Sequence, residues 1–145
     1  MKNDISAVII TKDEGKNLAG CISNLKFCSE IIVIDDYSSD DTVEIAKRTG
    51  TKVFLRRLNK NFASQRNYGL QKAEGQWVLF IDADELVSPT LGSEIVQAVN
   101  NPELTYDGFL LKRQDNMWGK RLKHGEFWTN SFLRLAKKEA GKWVS

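Results

Sequence analysis

The chain has 145 residues, of which 41% are hydrophobic and 28% charged, and its net charge is +2. That composition suits one soluble globular domain with a real core. No apolar run approaches the roughly 20 residues needed to span a bilayer, and a charge this close to neutral announces no nucleic-acid partner.

Met1-Lys2-Asn3-Asp4 leads straight into strand-like sequence, so no signal peptide is visible. Residues 5–10 read as a buried strand, and 14–25 as an amphipathic helix with Leu18, Cys21, Ile22 and Leu25 on its apolar side. Cys21 and Cys28 match no zinc or redox spacing; free thiols without a secretion signal point to a reducing cytoplasm. Residues 31–34 form the second predicted strand. The next helix starts at Asp40 or Asp41, either of which can cap it, and ends at Thr49-Gly50. A strand over 52–55, a helix over 63–73 stopping at Gly75, a strand over 76–81 and a helix over 89–99 follow. Such alternation predicts a parallel sheet with helices on both faces.

After Asn101-Pro102 the style changes. Strand-like segments at 108–113 and 127–135 flank a stretch with Gly119 and Gly125, and are expected to pair antiparallel at the sheet edge. Residues 1–100 carry 12 Lys/Arg against 14 Asp/Glu, whereas 101–145 carry 9 against 5. The basic residues Lys112, Arg113, Lys120, Arg121 and Lys123 suit either an anionic ligand, a membrane surface or a plain solvated face.

The chemistry gathers at strand ends. Trp77 to Glu85 is an apolar run ending in Asp82-Ala83-Asp84. Where the backbone stays extended, Asp82 and Asp84 share a face, an arrangement that suits a hard divalent cation carrying phosphates. With ten Asp in the chain, about 0.7 Asp-x-Asp matches are expected by chance, so context must carry the motif. The context is two more polar strand ends, Thr11-Lys12-Asp13-Glu14 and Asp35-Asp36-Tyr37-Ser38-Ser39-Asp40. Ligands of open α/β sheets sit beyond the carboxyl ends of the strands. Strand one lacks a Gly-x-Gly-x-x-Gly turn and no Gly-Lys-Ser/Thr loop occurs, which argues against a dinucleotide or P-loop site. Asp36 can accept from a base N–H or ribose hydroxyls, with Ser38 and Ser39 as turn formers. The plainer expectation for this loop is a helix start capped by Asp41 with Glu44 three residues on. A phosphoacceptor receiver domain would need its acidic pair after strand one, which Thr11-Lys12-Asp13-Glu14 does not supply well.

Val33 to Thr42 (Val-Ile-Asp-Asp-Tyr-Ser-Ser-Asp-Asp-Thr) resembles the nucleotide-binding loop of family 2 glycosyltransferases, which have the GT-A fold. The likeness is closest to the branch that includes bacterial lipopolysaccharide-core β-1,4-glucosyltransferases. Gln65-Arg66-Asn67 resembles that branch's helix motif, Trp77 to Glu85 its metal-motif strand, and Arg113, Gly119-Lys120 and Leu133-Arg134-Leu135 its acceptor-side half. The resemblance implies one GT-A domain, with 1–100 as the nucleotide-sugar half and 101–145 as the start of the acceptor side. It implies that Thr11 and Glu14 meet the nucleotide, Asp36 the base, and Arg66 the nucleotide or diphosphate. Asp82 faces the ribose or sugar beside Ala83, and Asp84, with Asp82, serves Mg²⁺ or Mn²⁺. Asp13 stands where the branch usually has Asn.

The implied reaction is inverting transfer from a nucleotide-diphosphate sugar, UDP-hexose first, to a glycan or glycolipid, at the cytoplasmic side of the inner membrane. In this branch the base lies in a His-Glu element beyond the tryptophan that Trp143 resembles, so the expectation is a truncated enzyme. Glu126 and Asp115 are the substitutes within the chain, and His124 reads as a surface or acceptor-side residue rather than a base. A non-catalytic nucleotide-sugar-binding module stays open as the alternative. A nucleotidyltransferase ranks lower, because the loop after strand one lacks a Gly-rich basic cradle.

Overall fold

A computed structural model describes residues 4–112, 116–117, 120–121 and 131–144. In chain order the elements are β1 (Ile5–Thr11), α1 (Gly15–Ser23), β2 (Glu30–Asp35), α2 (Thr42–Arg48), β3 (Lys52–Leu55), α3 (Phe62–Lys72), β4 (Trp77–Asp82) and α4 (Pro89–Val99). Then come β5 (Gly108–Lys112), the short β6 (Asn116–Met117) and β7 (Lys120–Arg121), and β8 (Ser131–Lys137). The six-stranded sheet has the order β3-β2-β1-β4-β8-β5, and β6 pairs with β7 apart from it. The strands β3, β2, β1 and β4 are mutually parallel. β8 runs antiparallel to both β4 and β5. The expected edge pairing is therefore present, but β8 inserts between β4 and β5, an order that local sequence does not encode. Part of the predicted 108–113 and 127–135 strands lies outside the described residues.

The central strands are apolar on both faces because helices cover both. Ile5, Ala7 and Ile9 of β1 join Leu79 and Ile81 of β4 in a core with Leu18, Ile22 and Ile95 from α1 and α4. Val8, Val78 and Phe80 face the other way, with Ile32 and Ile34, against Tyr68 and Leu70 of α3. This alternation follows from the two-residue period of a strand. Among the described residues no helix is long and apolar enough to cross a membrane.

Two helical glycines differ in what surrounds them. A Cβ on Gly69 of α3 would lie 2.4 Å from Val8 Cγ1, so the helix rests on β1 with no room for a methyl group. A Cβ on Gly20 of α1 would meet only Leu86 Cδ2, at 3.9 Å. Gly69→Ala is expected to destabilise by about 1–3 kcal/mol through overpacking. Gly20→Ala is expected to stabilise by roughly 0.5–1 kcal/mol through helix propensity. Urea midpoints of the two variants should move in opposite directions.

The amino-terminal edge of the sheet is tied by Glu30. Its carboxylate accepts from Ser6 Oγ at 2.5 Å, the Glu74 N–H at 2.6 Å and Lys52 Nζ at 2.7 Å. Ser6 Oγ in turn accepts the Gly75 N–H at 2.8 Å. Burial pushes Glu30 up, but the Glu74 N–H, Lys52 and Ser6 outweigh it and hold the carboxyl below its usual range. A depressed carboxyl stabilises the fold above its unfolded pKa, about 4.3, and that stability is lost as pH falls through the folded value. Glu30→Gln is therefore expected to lower the urea midpoint at pH 7, with the gap to the parent closing below about pH 4.

Candidate nucleotide and metal site

The register aligns the strand ends. Thr11 pairs with Asp35 across β1 and β2, and Ile10 pairs with Asp82 across β1 and β4. The Asp36 N–H donates to the Thr11 carbonyl at 3.0 Å, carrying the pairing one residue past β2. The loops after β1, β2 and β4 thus leave one rim side by side. With strands about 4.8 Å apart, the loops after β2 and β4 lie about 10 Å from each other, roughly the reach from a nucleobase to its diphosphate.

The β2 loop is built by its own acids. Asp35 is fully buried, and its carboxylate accepts the Ser38 N–H at 2.8 Å and Ser38 Oγ at 2.6 Å, folding the chain back as an Asx turn. Asp13, at φ 52°, braces the loop from the β1 side. Its Oδ1 accepts the Ser39 N–H at 2.7 Å, and its own N–H donates to Ser38 Oγ at 2.7 Å. An Asp tolerates that left-handed backbone better than most residues, so its added charge is spent on backbone N–H groups. The Asp36 carboxylate, mostly buried, accepts the Leu58 N–H at 3.1 Å through Oδ1, and its Oδ2 lies 3.7 Å from Lys12 Nζ.

The helix start differs from the expected cap. Asp41 occupies the N-cap of α2 without a side-chain capping bond, so the Asp41–Glu44 box does not form. Asp40 does that work: one oxygen accepts from the Thr42 N–H at 3.0 Å and from its hydroxyl, the other from the Gly15 N–H at 3.0 Å. Thr42, with hydroxyl and N–H both donating, holds Asp40 below the usual carboxylate range. A Cβ on Gly15 would lie 2.1 Å from Asp41 Oδ1, so a side chain there would have to displace the Asp41 carboxylate.

At the end of β1, the hydroxyl of Thr11 is buried and has no hydrogen-bond partner among the described residues. A buried orphan of this kind is uncommon in folded proteins and calls for a ligand or solvent partner. Glu14 is half-buried and accepts from Asn17 Nδ2 at 2.9 Å.

The extended geometry expected through Asp82 and Asp84 is corrected. β4 ends at Asp82, and the Glu85 N–H donates to the Asp82 carbonyl at 2.9 Å, so residues 82–85 form a turn. Side-chain alternation stops there. Ala83 is buried, Asp84 is exposed, and the Asp82 N–H donates to Glu85 Oε1 at 2.8 Å. Glu85 also takes Arg134 Nη1 at 3.0 Å and Nη2 at 3.4 Å, while Arg134 Nη2 lies 3.7 Å from Asp82 Oδ2. Behind the turn, burial and then Glu85, Asp82 and Asp84 push the Cys21 thiol up to about 12. Among the described residues no three His, Cys, Asp or Glu side chains form a closed metal cage. The set of donors fits a cation that keeps water and phosphate ligands and takes one or two carboxylates from the protein.

On the α3 side, Gln65-Arg66-Asn67 divides its labour. Gln65 is buried and ties the chain after β3, accepting Arg56 Nη1 at 2.8 Å and donating to the Arg56 carbonyl at 2.6 Å. Asn67 locks the backbone of Trp143 from both sides, each bond 2.7 Å. Trp143 packs edge-on against Phe80 at 5.3 Å, and the Arg66 guanidinium lies 4.9 Å above its ring. Burial lowers the Arg66 pKa, as does Arg134, against the pull of Asp82 and Glu85. Arg66 makes no ion pair with a described residue, and Asp82 and Glu85 lie within its electrostatic reach.

The strand-end loops thus hold Thr11, Glu14, Asp36, Asp82, Ala83 and Asp84, with Arg66 electrostatically coupled to Asp82. Asp115 and Glu126, and with them Arg113 and His124, lie outside the described residues. The Glu85–Arg134 pair and the Asn67–Trp143 lock are not foreseen in the sequence reading. Their partners are 49 and 76 positions away, beyond any local spacing rule.

The sequence model of glycosyl transferase family 2 matches residues 6–144. An uncharacterized glycosyltransferase of Rickettsia conorii is 41% identical over 92 residues, covering 63% of this chain and 32% of its own length. The chain spans about a third of the length of its Rickettsia relatives. Among solved structures, TarS 1-349 of S. aureus superposes with a TM-score of 0.55 at 23% identity, over 66% of this chain and 32% of its own. Glucosyl-3-phosphoglycerate synthase from Mycobacterium tuberculosis, in complex with Mn²⁺, UDP and phosphoglyceric acid, gives 0.51 at 24% identity over 57% and 33%. Both likenesses are of fold.

Proposed function

Because the chain belongs to glycosyl transferase family 2, we propose that it forms the donor-binding part of an inverting, metal-dependent glycosyltransferase. The donor is a nucleotide-diphosphate sugar, UDP-hexose first, and the acceptor a glycan or glycolipid. The observation that carries this reading is the rim itself. Thr11, whose buried hydroxyl has no partner among the described residues, the Asp36 carboxylate beside Lys12 and the exposed Asp84 stand along adjacent strand ends, with Arg66 of α3 within electrostatic reach of Asp82.

Asp36 and Thr11 bind the nucleoside, with Glu14 at its edge. Arg66, steadied on Trp143, takes the diphosphate, and Asp82 beside Ala83 meets the ribose or sugar. Asp84 holds Mg²⁺ or Mn²⁺, with Asp82 near it; when bound, that ion offsets the charge developing on the departing diphosphate. The anomeric carbon–oxygen bond to diphosphate breaks as the acceptor oxygen attacks from the opposite face, its proton passing to a carboxylate base. Glu126 and Asp115 are the proposed bases within this chain. Gln65-Arg66-Asn67 and Trp143, locked together, support the branch resembling lipopolysaccharide-core β-1,4-glucosyltransferases. The basic balance of residues 101–145 suits an anionic glycolipid presented at the inner membrane face. The mycobacterial synthase, captured with UDP and Mn²⁺, names the first pair to try.

Thermal unfolding with UDP-sugars, with and without Mn²⁺, tests the reading. Ligand at 100 times its Kd is expected to add about 2.7 kcal/mol in the presence of metal and much less in EDTA. An intact fold that no nucleotide sugar stabilises would overturn the proposal. Assays of donor hydrolysis and transfer then separate an enzyme from a module that only binds.

A further inference from the structure

Tyr37 is hard to explain as a loop residue. It sits at φ 50°, a left-handed backbone that disfavours bulky side chains and that glycine or asparagine adopts readily. Its neighbours are pinned on both sides: Asp36 to the Thr11 carbonyl and the Leu58 N–H, Ser38 to Asp35. The ring is 47% exposed, so burial does not compensate the strain. Arg57 lies 4.4 Å above the ring, and an exposed cation–π contact contributes little to stability. Strain held at a pinned, exposed aromatic is a mark of a working position.

We propose that Tyr37 is the platform on which the donor's nucleobase stacks, its remaining face offered to the base while Asp36 Oδ2 reads the base edge. The proposal rests on the nucleotide-sugar reading above. Every base has a π-face, so the ring supplies affinity, and the adjacent carboxylate, an acceptor only, selects bases that present an N–H. Arg57 occupies one side of the ring, so the base would take the other. Lys12 Nζ lies 3.7 Å from the same carboxylate.

Calorimetry of the whole chain with UDP and Mn²⁺, and separately with pyrophosphate and Mn²⁺, tests this. Tyr37→Gly is expected to weaken UDP roughly 5- to 100-fold, to leave pyrophosphate unchanged and to keep or raise the Tm. Tyr37→Phe should retain UDP affinity. Tyr37→Asn, which also tolerates the left-handed backbone, should reproduce the glycine result. UDP binding by Tyr37→Gly at parental strength would overturn the proposal while leaving the donor reading intact. Equal loss of UDP and pyrophosphate would overturn it too, as a general loop defect. A parent chain that binds pyrophosphate but not UDP sinks the donor reading and this proposal together.

Discussion

Asp84→Asn is expected to lower metal-supported sugar transfer on the order of 10²–10³-fold, the scale of losing one electrostatic contributor to a transition state. Asp84 is exposed and sits in a turn, so the substitution should leave stability within about 0.5 kcal/mol of the parent. The loss is therefore chemical and not a folding defect. Because no cage of three ligands exists among the described residues, a cation held by Asp84, as proposed, would depend on phosphate oxygens for the rest of its shell. Removing the Asp84 carboxylate should then abolish the difference between UDP binding in Mn²⁺ and in EDTA. Asp82→Asn should behave differently. Its carboxylate lies 3.7 Å from Arg134 and its proposed partner is the sugar or ribose, so donor affinity should fall while the metal dependence of binding persists. Identical behaviour of the two variants would contradict the division of labour.

Glu85→Ala is expected to cost about 3 kcal/mol of stability and to remove transfer as well. The Glu85 and Arg134 side chains are only 16% and 12% exposed, so each charge depends on its partner. The two bonds from the guanidinium, at 3.0 and 3.4 Å, fix Glu85. Glu85 then accepts the Asp82 N–H at 2.8 Å, which closes the turn that presents Asp84. Taking one partner away strips the other of its nearest counter-ion in a poorly solvated place. Replacing both, as Glu85→Leu with Arg134→Met, should be less destabilising than either truncation, since no lone charge remains. That double variant should still bind donor poorly, because the turn has lost its clasp. Urea unfolding and calorimetry on the three variants separate the two effects. A double variant worse than the sum of the single ones would refute the argument.

The layout of strands and helices was legible because each element carries its own period. Ile5 to Thr11 and Trp77 to Asp82 are short apolar runs bounded by polar turns, and Gly50 and Gly75 mark where helices end. Parallel pairing of the first four strands followed from the alternation, and with it the convergence of their carboxyl ends. What sequence could not show is anything that depends on a partner far along the chain. The place of β8 between β4 and β5 is set by pairing of Leu79 with Leu135 and of Phe109 with the same residue. Arg134 reaches Glu85, and Trp143 reaches Asn67, only because that strand is there. The turn at residues 82–85 was hidden for a different reason. Asp-Ala-Asp-Glu suits an extended end and a turn alike, and it is Glu85, accepting the Asp82 N–H, that decides between them. In the β2 loop the acids outnumber the capping positions, and the choice of Asp40 over Asp41 rests on Gly15, which belongs to another helix.

The central claim is that loops from neighbouring strands jointly hold a metal-bound nucleotide diphosphate. A crystal of this chain grown with UDP and Mn²⁺, with the ion located by its anomalous signal, tests it most directly. The account predicts the manganese peak within coordination distance, about 2.2 Å, of an Asp84 oxygen and of the diphosphate, with the uracil edge on Asp36. Manganese bound away from Asp84, or uracil on the far side of β4, would contradict it.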